Sequence, residues 1–237
     1  MGVSPASRHP SKEAAGRTRG ARSRKVAGVD LPAYALAWLA EDPVITSART
    51  RARETGITGT GPDVGSLLRL LAQMVRARTV VETGTGAGVS ALWLLAGMRP
   101  DGVLTSIDRE PEHQRYARQA FAEAGVASGR VRLIAGEASN VLPRLTDGGY
   151  DLAHLDCGPT EHLTQFEQAR RMVRPGGVIA VSGVLRGDAD SRAFLEQVAV
   201  EEAASSALLP LGDGVLVVTT DQVGDSRPDP SRPAERI

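Results

Sequence analysis

The sequence predicts an α/β fold: a doubly wound, mostly parallel sheet with helices on both faces and an antiparallel last strand. Three observations carry that expectation. Apolar runs of strand length alternate with helix-length amphipathic segments from residue 79 to residue 199, the βαβ pattern of a parallel sheet. Aromatic residues are only 3% of the chain against 41% hydrophobic, so the core is built from Ala, Val and Leu, which suits helices packed on a parallel sheet. The first strand runs straight into a glycine-rich turn, Gly84-Thr85-Gly86-Ala87-Gly88, and then into a helix. Chain ligands bind at such a junction in open α/β sheets.

The elements follow in order. Residues 1–27 hold seven Lys/Arg and one acid without apolar periodicity and read as a disordered basic tail. Residues 28–220 read as one domain, with an N-terminal helical cap at about 28–60. Within it, residues 31–39 form a short apolar helix and 42–54 a second. Pro62 or Asp63 opens a third, with Val64, Leu67, Leu68 and Leu71 on one stripe. Strands follow at 79–83, 103–108, 131–135, 150–156 and 178–181, separated by helices at 89–98, 111–124, 138–145 and 161–173. A helix at 191–199 leads to two strands, 207–210 and 214–220, joined by 211–213. Residues 221–237, with three prolines, read as a second disordered tail.

Composition narrows the function. Outside the basic tail, 21 Lys/Arg face 27 Asp/Glu, a net of −6, which argues against nucleic acid as a partner. No apolar run approaches the ~20 residues of a membrane span, so no membrane partner is expected. Cys157 is the only cysteine, so no internal disulfide forms and a cytoplasmic setting is expected.

The turn carries the chemistry. Glycines let backbone approach a ligand, and the helix start offers free N–H groups to a carboxylate or phosphate, with Ser90 adding a hydroxyl. Dinucleotide sites use similar spacing. Here, however, the pattern is G-x-G-x-G, and Glu82 stands two residues before Gly84. A carboxylate there suits a cationic ligand and repels a pyrophosphate. Asp108 ends the second strand, where an acid accepts hydrogen bonds from a ribose diol. Gly136-Glu137-Ala138 follows the third strand, where an adenine would sit, and Asp156-Cys157-Gly158-Pro159 ends the fourth on the same crevice. His162 lies six residues beyond Asp156, near that crevice, and is a candidate base. His154 reads as a hydrogen-bonded core histidine, and His9 and His113 as solvent residues.

Taken in order, VVETGTGAGVSALWL, LTSIDREPEHQRYARQAFAEAGV, VRLIAGEASNVLPRL, YDLAHLD, VRPGGVIAV and LLPLGDGVLVV resemble the catechol and caffeoyl-CoA O-methyltransferase family, closest to its actinobacterial branch, over residues 57–220. The resemblance implies a Rossmann-like class I methyltransferase, a homodimer, S-adenosylmethionine (SAM) as cofactor and a small-molecule hydroxyl acceptor methylated by in-line displacement. It implies that Glu82 and Gly84 border the methionine part of SAM, that Thr60 contacts the methionine end, that Ser90 holds its carboxylate, that Asp108 holds the ribose, and that Ala138 lies beside the adenine; Thr85 and Gly86 of the turn and Gly136 and Glu137 of the loop after the third strand are further cofactor-binding candidates. Asp156 matches the family's first metal-binding aspartate and also faces the cofactor. The chain then departs from the pattern. Where the family has an Asp-Asn pair after the Pro-Gly-Gly strand, it has Ser182-Gly183, and the family's lysine is Pro159. One carboxylate and a hydroxyl make a poor octahedral set for magnesium, so no metal ligand is assigned, and Asp156 and His162 remain as the catalytic candidates.

Two other readings stand beside this one. A catalytically idle SAM- or S-adenosylhomocysteine (SAH)-binding protein, regulatory or oligomerising, would account for the missing pair and lysine. An NAD(P)-dependent oxidoreductase should show a Tyr-x-x-x-Lys donor, and Tyr34, Tyr116 and Tyr150 have no lysine four residues on.

Overall fold

The computed structural model describes residues 30–200 and 205–220; the two tails of the sequence reading lie outside them. The chain divides into two units, Met1–Trp38 and Leu39–Ile237. In the first, helix α1 (Leu31–Trp38) presents Tyr34, Leu36 and Trp38 to solvent.

In the second unit, α2 (Pro43–Glu54) starts at Asp42, whose carboxylate accepts the Val44 N–H, an N-cap that satisfies an otherwise orphaned donor. Pro62 opens α3 (Pro62–Met74) at the one helical position where a missing N–H costs nothing. Its Val64, Leu68, Leu71 and Ala72 are buried, so the expected stripe is the packed one. Strand β1 (Thr79–Thr83) leads to α4 (Val89–Gly97), buried on nearly every side between the sheet and α3. Next come β2 (Val103–Asp108), α5 (Pro111–Glu123), β3 (Val131–Ala135) and the short α6 (Ala138–Val141). Pro143 lies in the 3₁₀ turn that follows α6 and ends the helix expected to run on to 145. Strand β4 (Tyr150–Asp156), α7 (His162–Met172), β5 (Val173–Ser182), α8 (Ala189–Ala199), β6 (Ser206–Leu209) and β7 (Val215–Thr219) complete the unit.

The seven strands lie in the order β3-β2-β1-β4-β5-β7-β6. Every pair from β3 to β5 is parallel; β7 runs antiparallel between β5 and β6, so the expected antiparallel last strand is present. Alternation of side chains across the pleat splits the core into two. Val80, Leu104 and Leu152 pack with α2–α5 on one face. Val81, Ala153, Leu155 and Ile179 pack with α7 and α8 on the other.

Two expectations change. Strand β5 begins at Val173, five residues early, because the Arg174–Gly177 stretch is a bulge: Tyr150 pairs with Val173, and pairing resumes at Leu152 with Val178. The bulge absorbs the Pro-Gly-Gly turn without ending the strand. The helical cap also changes. Helix α2 packs on α4 and α5 through Ile45, Ala48 and Ala52, and within this unit the expected cap reaches the site through the loop after α2.

Candidate active site

The site grows from the end of β1. Gly84 has φ +82°, and a Cβ there would lie 2.4 Å from the Asp156 carbonyl. Only glycine lets the turn pass between β1 and β4, the point where the strand order reverses. Asp108, at the end of β2, then fixes the turn: its Oδ2 accepts the Gly86 N–H at 2.8 Å and its Oδ1 accepts the Glu110 N–H at 2.9 Å. His113 Nδ1 stands 3.2 Å from Oδ2. Above these loops opens a cavity of about 580 Å³, walled by Gly84, Gly86, Asp108, Gly136, Glu137, Ala138 and Asp156, with His113 and Gln165. Its volume is in the range of small-molecule sites.

A second cavity, about 240 Å³, adjoins it. Thr60, Val64, Ser182, Gly183 and Gly214 line it, and Thr58, Asp156 and Arg186 border both spaces. Burial pushes the Asp156 carboxyl above the ordinary aspartate range, against the weaker pull of His154 and Arg186. Beside it, burial, helped by the Glu161 and Asp156 charges, pushes the Cys157 thiol up to about 12.

Four of the predicted residues do not reach either space. Glu82 is fully buried, and both its oxygens are taken: Ser106 Oγ donates to Oε2 at 2.8 Å, and His154 Nδ1 lies 3.2 Å from Oε1. The row continues at both ends, from Ser106 to Thr85 at 2.7 Å and from His154 Nε2 to the Ser182 hydroxyl at 3.0 Å. His154 is thus the hydrogen-bonded core histidine the sequence suggests. Thr85, at the far end of that row, and Ser90, on the inner face of α4, are buried behind the turn. His162 is the clearest correction. The first turn of α7 points it inward against Phe194, with ring centroids 5.4 Å apart. It is fully buried, and neither ring nitrogen has a hydrogen-bond partner of ordinary geometry among the described residues. Burial holds its pKa below the usual imidazole value, and the ring is not among the residues that wall either cavity. His113, read as a solvent residue, lines the cavity, as do Gln165 and Arg186, which the sequence reading did not single out. His113 lies in the first turn of α5, five residues after Asp108, and that spacing was the available signal.

Comparison with known proteins decides the family. A methyltransferase-domain family model matches residues 81–182. A relative in Mycolicibacterium vanbaalenii, named as an O-methyltransferase, is 49% identical over 196 residues, covering 77% of this chain and 86% of the relative. One in Mycobacterium tuberculosis, similarly named, is 48% identical over 207 residues, covering 82% and 92%. The chain belongs to the O-methyltransferase family. Among solved structures, this O-methyltransferase superimposes on a Corynebacterium glutamicum protein with a TM-score of 0.75 at 30% identity, covering 81% of this chain and 95% of the other. It also matches the O-methyltransferase TomG of Streptomyces achromogenes, solved in complex with SAM, with a TM-score of 0.70 at 27% identity over 80% of this chain and 95% of that one.

The O-methyltransferase's own donors do not fit a divalent cation. Among the described residues no group of three or more His, Cys, Asp or Glu side chains is placed to hold one. The Ser182 hydroxyl faces His154, Gly183 offers no side chain, and a guanidinium, Arg186, stands beside Asp156 on both cavities.

Proposed function

We propose that this chain methylates a hydroxyl oxygen of a small molecule with SAM as donor. The observation that carries this reading is the paired cavity. A larger space lies over the glycine turn and Asp108, and a smaller one meets it at Asp156. That arrangement holds a nucleoside-bearing donor and an acceptor side by side.

When bound, SAM supplies a methyl group on a sulfonium, open to in-line displacement by an oxygen nucleophile. The residues present fit it. Gly84 and Gly86 bring bare backbone to the methionine part. Asp108 is held by backbone N–H groups and retains oxygen lone pairs for the ribose diol. Gly136, Glu137 and Ala138 form the wall at the β3 end, the place for the adenine. Glu82, Thr85 and Ser90 act from behind, by fixing the shape of the turn. Thr60 closes the methionine end from the second cavity, and Asp156, at the junction, orients the acceptor hydroxyl. Holding the acceptor oxygen in line with the methyl is the main way such a site lowers the barrier.

The partner is a small-molecule acceptor, and no helix of the described residues is long and apolar enough to cross a membrane. We place the enzyme in the cytoplasm, since a lone cysteine suits a reducing compartment. We read it as a homodimer from the family resemblance, with the exposed Tyr34, Leu36 and Trp38 of α1 available for the contact; light scattering of the full chain tests that.

Calorimetric titration of the full chain with SAH tests the central reading. Micromolar binding is expected, weakened at least tenfold in Asp108→Ala, followed by turnover on a phenol, catechol and hydroxyacid panel with and without magnesium. A folded sample that ignores SAH would overturn it.

A further inference from the structure

The second cavity has one feature that the methyl-transfer reading leaves unused. Gly183 has φ +79°, and a Cβ built on it would stand 3.0 Å from Arg186 Cζ and Nη2 and 3.2 Å from Nε. The guanidinium crowds the space that a side chain at 183 would enter, and the left-handed backbone there favours glycine. A fixed organic cation sits where the family resemblance puts the second half of a metal-binding pair.

The arginine is aimed by its own turn. Gly183 N–H donates to the Gly214 carbonyl at 2.8 Å and Leu185 N–H to the Asp213 carbonyl at 2.7 Å, which ties the 183–186 turn to the start of β7. Arg186 Nε donates to Asp213 Oδ2 at 3.3 Å, a long single contact. Nη1 and Nη2 donate no hydrogen bond among the described residues, and the side chain borders both cavities beside Asp156. An exposed ion pair of that length contributes little by itself. The unused face of the guanidinium is a planar two-donor fork that matches a carboxylate.

We propose that Arg186 is the specificity-determining residue for the acceptor and binds a carboxylate on it, so that the substrate class is a hydroxylated carboxylic acid. The inference rests on the methyltransferase reading above. Arg186 holds the acid group in the smaller cavity, and Asp156 takes the hydroxyl at the junction. A guanidinium also does part of what a metal does in related sites, since its fixed positive charge favours a neighbouring hydroxyl in its ionised form. Neutral phenols of equal size lack that anchor.

The test compares acids with their amides. Full-length protein saturated with SAH is titrated calorimetrically with 2-, 3- and 4-hydroxybenzoate and with the three matching hydroxybenzamides. At least one acid is expected to bind tenfold or more tighter than its amide, the scale of a charge-assisted pair of hydrogen bonds. Arg186→Gln, again saturated with SAH, should remove that preference while leaving amide binding within about twofold. Arg186→Lys should keep part of it, since the charge remains but the fork does not. The overturning results are equal or better binding of every amide, or a preference for acid that survives Arg186→Gln. Failure of the wild-type chain to bind SAH in the first titration is separate, because it removes the methyltransferase reading itself.

Discussion

At the scale of single residues, burial decides which candidate groups can react. Cys157 borders the main cavity, yet its thiol pKa is about 12, well above the ~8.5 of a free cysteine. At pH 8 the native chain should therefore react with a disulfide reagent at least 100-fold more slowly than the same chain in denaturant. Rapid native labelling, followed by absorbance of the released thiolate, would contradict the burial argument. Glu82 illustrates the opposite case, a buried acid with every oxygen engaged. Glu82→Gln keeps the volume but places an NH₂ against Ser106 or His154. It should lower stability by about 1–3 kcal/mol, read by chemical denaturation. The sequence showed which residues stand at strand ends, and hence Asp108 and Asp156. It did not show which way a first-turn helical residue points. His162 and His113 each sit at the start of a helix. The rotation of each helix, set by packing against α8 or against β2 and β3, sends the first inward and the second to the cavity.

At the scale of elements, close packing of α3 on α4 depends on two glycines, Gly97 of α4 against the Arg69 carbonyl and Gly65 of α3 against Trp93. A Cβ at Gly65 would lie 2.2 Å from Trp93 Nε1, and Trp93 is buried. By helix propensity alone, Gly65→Ala should stabilise α3 by about 1 kcal/mol. Packing reverses the sign, and the variant is expected to lose roughly 1–3 kcal/mol. A rise in melting temperature would show that the indole has room to move. Such contacts between distant segments are invisible in local pattern, as is the β5 bulge, where Pro175, Gly176 and Gly177 read as a turn leading into the strand. The strand cores themselves were legible where the run is apolar throughout, as in residues 178–181, because a strand covered on both faces needs apolar side chains on both.

At the scale of the whole molecule, Asp151 holds the entry edge of the sheet together. Its Oδ2 accepts the Arg78 and Thr79 N–H groups at 2.7 and 2.9 Å, and its Oδ1 accepts Arg174 Nε at 2.6 Å, joining β1, β4 and β5. Burial raises its pKa, but Arg174 and the two backbone donors outweigh burial and leave it below the ordinary value. A depressed carboxyl contributes stability above its unfolded pKa of about 3.9, and that contribution is lost as pH falls through the folded value. Asp151→Asn should thus melt several degrees below wild type at pH 7. The gap should narrow below about pH 4, as scanning calorimetry across that range will show. A gap independent of pH would assign the loss to shape alone. The doubly wound, mostly parallel sheet and its antiparallel last strand were accessible from the alternation of elements and the closing hairpin. The two tails and the partner of α1 were not, because composition alone does not fix a contact.

The polar row from Thr85 through Ser106, Glu82 and His154 to Ser182 crosses four neighbouring strands. Its members meet only in one alignment: Glu82 opposite Ser106 on one side and opposite His154 on the other. Sliding β1 by one residue would swing its carboxylate to the opposite face, and sliding it by two would set the carboxylate beside Leu104 and Leu152 in one direction or beside the acids Asp108 and Asp156 in the other. Each slip takes the acid from the donors that answer it and leaves it against hydrocarbon or like charge, which costs several kcal/mol, on the order of an unpaired buried charge. The row therefore works as a combination lock for the sheet. Apolar side chains make the strands stick, and this line of polar groups determines where they stop sliding.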